Sequence, residues 1–292
     1  MKTLARITVV FAVIVLCAVG FKIGYYEFTH SSKFQTAVAP SANMSAPVPT
    51  YAQKTETESA TQAEDSFEKL ALPKEFIIYS AEESKGTPIG STTDEPELSA
   101  SVFVGDSVSL GFSRYCARKG IMKETAFLTA GSYAVHYALS SDMSETKGFN
   151  HPLYKGVETP LKQAIEQIKP KNVYFCLGIN DISRFGVEGT VKNYCKLINF
   201  IWEIDPEIHV YIVSTTFMVE TAQKTNLNNL NLANLNHNMK RLCEVDERLD
   251  YIDIMSGLQD EKFALAAKYC SDEFIHQTNE AYEIWAQKLG AE

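Results

Sequence analysis

From about residue 99 onward, short apolar runs rich in β-branched and aromatic residues alternate with stretches in which apolar residues recur at helical spacing. The runs predict five strands, at Ser101–Val104, Thr125–Thr129, Asn172–Leu177, His209–Ser214 and Tyr251–Ile254. The stretches predict helices after Thr159 (N-cap) and Pro160 up to Lys169, over Lys192–Glu203, along Leu227 to Leu242 and over Glu280–Leu289. Strands separated by helices indicate an α/β fold, with a five-stranded parallel sheet covered by helices on both faces.

The preceding stretch, residues 31–98, has a different composition. It holds six of the ten prolines and is dense in Ser, Thr, Ala and Glu. Such a segment buries too little apolar surface to offset its ordering entropy, so a flexible linker is predicted. One exception is Phe67 to Tyr79, whose apolar residues could dock on the domain. Leu70, Leu72, Phe76, Ile77 and Ile78 are the candidates.

The N-terminus carries a targeting pattern. Lys2 and Arg6 precede a chargeless apolar run over residues 7–21, which Lys22 follows. A cleaved signal peptide and an uncleaved signal-anchor both fit residues 1–30, and the anchor is favoured because residues 23–26 extend the run. The positive residues keep the N-terminus inside, so the rest of the chain is expected outside the cytoplasm, held at the cell membrane or secreted.

Composition and charge narrow the classes of function. With 45% apolar residues the chain can build a sizeable core, and its net charge of −9 offers no basic stripe for nucleic acid. Apart from Cys17, the cysteines are five in number and form no Cys-x-x-Cys pair, which predicts neither a disulfide framework nor a zinc site, although one bridge stays open. The histidines outside the candidate site form no cluster. No metal or other cofactor is therefore expected.

Candidate chemistry lies where predicted strands end, because ligands of parallel sheets bind beyond the carboxyl ends of the strands. The first strand ends at Gly105-Asp106-Ser107, where Ser107 is either a helix N-cap or a nucleophile. The second strand is followed by Gly131, and the third by Gly178-Ile179-Asn180-Asp181. The stretch Ser271 to His276 precedes the last helix. Together these segments supply a nucleophile, oxyanion donors, a base and an acid.

These segments resemble the sequence blocks of the SGNH (GDSL-type) hydrolases. Gly105-Asp106-Ser107 matches the first block, Gly131 the glycine of the second, Gly178-Ile179-Asn180-Asp181 the third, and His276 the late histidine. The resemblance covers residues 99–292, the predicted hydrolase domain. It implies a flavodoxin-like three-layer α/β/α fold and esterase activity, but little about the substrate.

The residues permit the corresponding chemistry. Ser107 would attack an acyl carbonyl while His276 acts as general base, and the N–H groups of Ser107 and Gly131 with the amide of Asn180 would stabilise the oxyanion. The acid that orients His276 is left open. Glu273 stands at the usual family spacing, whereas Asp272 is preferred because a shorter side chain is more easily fixed.

The predicted function is that of an extracytoplasmic serine esterase acting on acetyl or other short O-acyl esters, including those of carbohydrates. An O-acetyltransferase of cell-wall polymers on the same fold and a non-catalytic surface-binding module are the alternatives. A phosphoryl-transfer enzyme is disfavoured because the sequence has no Gly-rich, Lys-bearing phosphate loop.

Overall fold

The centre of the molecule is a parallel β-sheet. The structure, a computed structural model, describes residues 68–87, 89–140 and 151–291. The strands are β1 Ser101–Gly105, β2 Ala126–Thr129, β3 Leu153–Tyr154, β4 Val157–Glu158, β5 Asn172–Cys176, β6 His209–Val213 and β7 Leu249–Ile252. Five of them form the sheet in the order β2-β1-β5-β6-β7, and every neighbouring pair is parallel. Strands β3 and β4 form a separate antiparallel hairpin.

Helices cover both faces of this sheet. They are α1 Ala81–Gly86, α2 Ser107–Lys119, α3 Val135–Ala138, α4 Leu161–Ile168, α5 Ile179–Trp202, α6 Asn229–Cys243 and α7 Asn279–Lys288. From β1 the chain moves through α2 to the β2 edge, and from there the strands follow in the opposite direction through α4, α5 and α6. Because parallel crossovers are right-handed, helices on connections of opposite direction lie on opposite faces. Helix α7 packs against α2, and α6 against α5. The predicted three-layer α/β/α fold is confirmed.

Three of the predicted helix and strand boundaries are wrong, each for a local chemical reason. The N-cap of α4 is Pro160 and not Thr159, whose hydroxyl donates to the Val157 carbonyl instead. The last strand starts at Leu249 and ends two residues earlier than predicted, because the Asp253 carboxylate turns the chain by accepting the N–H groups of the next residues. The helix predicted from Lys192 begins thirteen residues earlier, at Ile179, and is kinked at Gly186, where φ is +64°.

The central strands are buried on both sides, as a sheet between two helical layers requires. Every residue of β1 and β5 is buried. Phe103, Tyr174 and Tyr211 occupy paired positions on three adjacent strands, and their rings stack with centroids 6.0 and 4.4 Å apart. This aromatic row fixes the register of the central strands, whose carboxyl ends then align at one edge.

Residues 68–79, called the strap below, contact the domain directly. The Leu70 side chain is only 6% exposed, whereas Leu72 and Ile78 are 50% and 63% exposed. The strap is held mainly through its backbone, because three asparagine side chains each accept an N–H and donate to a carbonyl of the same strap residue. The pairs are Leu70 with Asn199, Ile77 with Asn238 and Tyr79 with Asn234.

The chain after the strap also contacts the domain. Thr92 exchanges hydrogen bonds with the backbone of Tyr251 in β7, and the backbone of Glu97 bonds to the hydroxyls of Tyr174 and Tyr211. The described part of the stretch from Phe67 to Tyr79, which was expected to be able to dock, therefore does so, with Leu70 buried. The contacts of Thr92 and Glu97 were not predicted. Side-chain amides and hydroxyls of the domain supply the partners that the backbone of both stretches needs.

The predicted targeting segment, residues 1–30, and the first part of the predicted linker, up to residue 67, lie outside the described residues. Within the ranges that the structure describes, no helix is long and apolar enough to cross a membrane. Five cysteines are free thiols, so the disulfide left open by the sequence does not form among them: Cys116, Cys176, Cys195, Cys243 and Cys270.

Candidate active site

Ser107 lies at the junction between β1 and α2. Gly105 ends the strand where a Cβ atom would lie 2.2 Å from Ser109 Oγ and 3.2 Å from the Cys176 carbonyl, so only glycine fits there. Asp106 is the N-cap of α2, and its Oδ1 accepts the Val108 N–H at 2.9 Å. Ser107 is the first helical residue. The interpretation of Ser107 as an N-cap is therefore wrong, because Asp106 occupies that position and leaves the Ser107 hydroxyl available.

The Ser107 hydroxyl contacts His276. The distance from Ser107 Oγ to His276 Nε2 is 3.0 Å, although the two residues are 169 positions apart. The loop that carries His276 follows a 3₁₀ turn at Ala267–Tyr269 and precedes α7. Its ends are joined by the bond from the Ser271 N–H to the His276 carbonyl. The loop thus presents the ring to the start of α2.

Asp272 holds the other side of the His276 ring. Its Oδ2 bonds to His276 Nδ1, and its Oδ1 accepts the backbone N–H groups of Phe274, Ile275 and His276 at 2.9 to 3.1 Å. Burial alone would raise the pKa of Asp272, but the hydrogen bonds from the His276 ring and from the backbone outweigh it and lower the pKa to about 2. The neighbouring Glu273 is exposed and has a φ of +60°. Of the two candidate acids, Asp272 is the one in contact with the ring.

The candidate oxyanion donors come from two further strand ends. The Ala130 N–H bonds to the Gly105 carbonyl at 3.1 Å, which brings the exposed Gly131 next to the end of β1. Asn180 is the second residue of α5, and its amide donates to the Tyr133 carbonyl at 3.1 Å and, over a longer 3.4 Å, to Asp106. The structure therefore links all four predicted segments through hydrogen bonds.

Asn180 is aimed by a sharp turn at Gly178. The φ of Gly178 is +116°, and a Cβ atom there would lie 2.8 Å from Leu235 Cδ2 and 3.0 Å from Thr215 Cγ2. A side chain would meet both a strained backbone and two packed neighbours. Gly178 thus lets α5 start directly at the end of β5, with Asn180 in its first turn.

Asp106 is the buried carboxyl of the site. Its side chain lies next to Ser107 and is 3% exposed as a residue. Burial raises the pKa of Asp106 to about 6, and the backbone N–H groups of Val108 and Ser109 and the charge of His276 only partly offset this. The carboxyl groups on the two sides of the Ser107–His276 contact are thus shifted in opposite directions.

A second Asp–His pair, between Asp181 and His136, was not predicted from the sequence. Asp181 Oδ1 lies 2.7 Å from His136 Nδ1, and the Asp181 carboxylate also accepts the N–H groups of Val135 (2.8 Å) and His136 (3.2 Å). The Asp181 side chain has no exposed surface. Only the position of Asp181 directly after Asn180 could have signalled it.

A small cavity lies behind the turn that carries Ser107. Its volume is about 10 Å³, it lies between Asp106, Val108 and Ile179, and Ser107, Asn180 and His276 do not line it. Larger cavities of about 390 and 570 Å³ lie along α6, and neither is lined by Ser107, Asn180 or His276. In the described ranges, no group of three or more His, Cys, Asp or Glu side chains could hold a metal ion. The groups that the structure brings together around Ser107 are a hydroxyl, an imidazole, carboxylates and hydrogen-bond donors.

One comparison with known proteins supports the family that the sequence resembles. The model of the GDSL-like lipase/acylhydrolase family matches residues 103–284, more than half of the chain. No curated protein gives a significant match. Similar solved structures include a Streptococcus pneumonia protein named as a platelet activating factor (16% identity, TM-score 0.49, 68% of this chain and 84% of that chain). Others are a GDSL-like lipase from Bacteroides thetaiotaomicron (15%, 0.47, 72% and 92%) and a carbohydrate esterase family 3 protein from Talaromyces cellulolyticus (12%, 0.46, 65% and 94%).

Proposed function

The chain belongs to the GDSL-like lipase/acylhydrolase family, and we propose that it is a serine esterase that hydrolyses short O-acyl esters. One observation carries the proposal, the continuous contact of Ser107 Oγ with His276 Nε2 and of His276 Nδ1 with Asp272. A hydroxyl is a weak nucleophile unless a base takes its proton, and a third group must hold the base in the right tautomer. Ser107, His276 and Asp272 meet these requirements.

The proposed reaction has two halves. Ser107 Oγ attacks the acyl carbon while its proton passes to His276 Nε2, and the tetrahedral intermediate collapses when His276 returns that proton to the leaving alcohol. Water then attacks the acyl carbon and loses a proton to His276, and the second intermediate collapses when His276 returns that proton to Ser107 Oγ and the carboxylic acid leaves. Asp272 stays ionised and keeps the Nδ1 proton on the side away from Ser107. The oxyanion is proposed to bind the N–H groups of Ser107 and Gly131 and the amide of Asn180.

We propose a short acyl group. The cavity of about 10 Å³ that Asp106 and Val108 border, without Ser107 itself, has room for roughly one water-sized group. An acetyl group projects a single methyl beyond its carbonyl carbon, whereas an octanoyl chain needs a channel several times larger. We therefore propose that activity is highest on acetyl esters and falls as the acyl chain lengthens.

The exposure of the site supports a large alcohol portion. The side chains of His276 and Asp272 are 41% and 34% exposed, and Gly131 is exposed as well. An ester attached to a bulky polymer can approach such a rim without entering a pocket. Acetylated carbohydrate is the proposed substrate class. The apolar segment near the N-terminus leads us to propose further that the enzyme acts outside the cytoplasm, tethered to the membrane or secreted.

The test is ester hydrolysis by the full-length protein and by Ser107→Ala. The assay compares p-nitrophenyl acetate, butyrate and octanoate with acetylated xylan and acetylated peptidoglycan. We expect the variant to lose at least about 10³-fold in kcat, because no other group can replace the nucleophile. Ser113→Ala is the matched control, since it removes a hydroxyl of the same helix that bonds only to the Leu110 carbonyl.

The outcomes separate the alternatives. Activity that survives in Ser107→Ala would remove Ser107 from the nucleophile role. A wild type that binds acetylated polymer without hydrolysing any ester would favour a surface-binding module. Acetate transfer to an added sugar in place of release into water would favour an acetyltransferase.

A further inference from the structure

The segment Gly131 to His136, called the oxyanion loop below, is held by two consecutive residues of α5. Asn180 donates its amide to the Tyr133 carbonyl, and Asp181 accepts the N–H groups of Val135 and His136 and bonds to the His136 ring. The proposed side-chain donor and the proposed backbone donor, Gly131, are thus tied to each other through the first turn of α5.

Asp181 supplies a cap that the loop lacks. Helix α3 starts at Val135, and its N-cap residue, Ala134, has no side chain that could bond to the first N–H groups. Asp181 accepts two of these N–H groups from 45 and 46 positions further along the chain. Because the carboxylate has no exposed surface, water cannot replace it.

The loop also contains a strained residue. Ser132 follows Gly131 directly and has a φ of +56°, which is unfavourable for a residue with a Cβ atom. Such a conformation persists only when the surrounding structure enforces it, and the bonds to Asn180 and Asp181 begin one residue later. The strained residue lies between Gly131 and the residues of the loop that Asn180 and Asp181 hold.

We propose that Asp181, together with His136, is a positioning residue that fixes the oxyanion loop so that the Gly131 N–H points at the developing oxyanion. This inference rests on the proposed function. His136 contributes through its ring, which lies against Phe185 with centroids 5.0 Å apart and donates Nδ1–H to Asp181. His136 Nε2 is buried and has no hydrogen-bond partner within the described part of the chain, which separates this histidine from the base, His276.

The test is Asp181→Asn in the full-length protein. Asparagine keeps the size of the side chain, but its NH₂ group faces N–H donors and cannot accept their bonds. We expect kcat on p-nitrophenyl acetate to fall about 10²-fold and KM to change less than about threefold, because a displaced oxyanion donor weakens the transition state more than substrate binding.

Asp253→Asn is the matched control. Asp253 is also a buried carboxylate, 2% exposed, and it accepts the N–H groups of Met255 and Ser256 at the end of β7. The control should lower thermal stability about as much as Asp181→Asn while leaving kcat within about threefold. An equal loss of kcat in both variants would overturn the proposal, because general loosening of the fold would then explain it.

Hydrogen exchange of the oxyanion loop gives a readout that does not need activity. We expect peptides that cover residues 131–138 to exchange at least about tenfold faster in Asp181→Asn than in wild type, with no such change in Asp253→Asn. Unchanged exchange would overturn the positioning role even if kcat fell. Faster exchange in a protein that hydrolyses no ester would instead refute the proposed function and leave Asp181 as the clamp of this loop.

His136 provides a second pair of variants if Asp181→Asn does not fold. His136→Phe keeps a ring against Phe185 but removes the donor to Asp181, and we expect kcat to fall about tenfold. His136→Asn retains an N–H near the position of Nδ1 and should recover most of that loss. Equal kcat values for wild type and His136→Phe would remove His136 from the clamp.

Discussion

Two Asp–His pairs lie at the same end of the sheet, and they differ in what the far side of the imidazole meets. The ring of His276 contacts Asp272 through Nδ1 and the Ser107 hydroxyl through Nε2, and both side chains are partly exposed. The ring of His136 contacts Asp181 through Nδ1, whereas its Nε2 is buried without a partner in the described part of the chain. Under the two proposals above, the same pair of side chains serves proton transfer in one place and holds a loop in the other, and the two places differ in burial and in a third partner.

The largest expected effect comes from breaking the exposed pair. Asp272→Asn should lower kcat about 10³-fold or more, because an amide favours the wrong tautomer of His276. Glu273→Gln is the control and should change kcat less than about threefold, since Glu273 is exposed and Asp272 holds the ring. Steady-state kinetics on p-nitrophenyl acetate measures both. If Glu273→Gln proved the more damaging change, the acid would be Glu273.

A smaller effect is expected from the difference in solvent exposure between the rings of His276 and His136. The His276 side chain is 41% exposed and that of His136 is 17% exposed. Diethyl pyrocarbonate should therefore modify His276 roughly tenfold faster, and inactivation should follow its modification. Peptide mapping by mass spectrometry over the time course measures both rates. Inactivation that follows modification of His136 would contradict the assignment of His276 as the base.

A last effect, on stability in place of activity, extends the comparison to the carboxyl groups beside Ser107, whose pKa values are shifted in opposite directions. The pKa of Asp272 is lowered to about 2, so its contribution to stability is present above about pH 4 and is lost as the pH falls toward 2. The pKa of the buried Asp106 is raised to about 6 from 3.8, so wild type loses stability as the pH rises from about 4 to 6, by about 3 kcal/mol.

Melting temperatures from pH 2 to 8 check both signs. The difference between wild type and Asp272→Asn should shrink as the pH falls below 4, and wild type should lose stability relative to Asp106→Asn between pH 4 and 6. Parallel curves for wild type and Asp106→Asn would mean that the Asp106 carboxyl is ionised as easily in the folded protein as in the unfolded chain.

The sequence predicted the sheet and the site segments because both depend on local patterns. Apolar runs predicted the five parallel strands, and the residues that follow their carboxyl ends are brought to one edge by the topology. The preference for Asp272 over Glu273 rested on side-chain length. The structure adds that Asp272 accepts three backbone N–H groups, a turn that Asp forms and Glu does not.

Two features were not predicted, because each depends on contacts between residues that are far apart in the sequence. The clamp joins Asp181 to residues 45 and 46 positions away, and neither segment alone indicates it. The strap was expected to be able to dock through its apolar residues, but its backbone bonds to asparagine side chains were not predicted. The signal lay elsewhere, in the asparagines of α6, since Asn234 and Asn238 are buried in a helix interior, where asparagine is unfavourable. Buried amides need partners, and the strap backbone provides them.

The strap is also the part of the described chain through which tension applied before residue 68 first reaches the domain. A pull on the chain from before residue 68 meets first the contacts of Glu68 with Arg248 and of Lys69 with Glu203, and then the two-fold bond of Leu70 to Asn199. Only after these does it reach the pairs of Ile77 and Tyr79 on α6. Tension is thus carried into α5 and α6 step by step before it can reach β1 and the Ser107 turn. With the proposed tether at the N-terminus, tension along the chain would reach the Ser107 turn last.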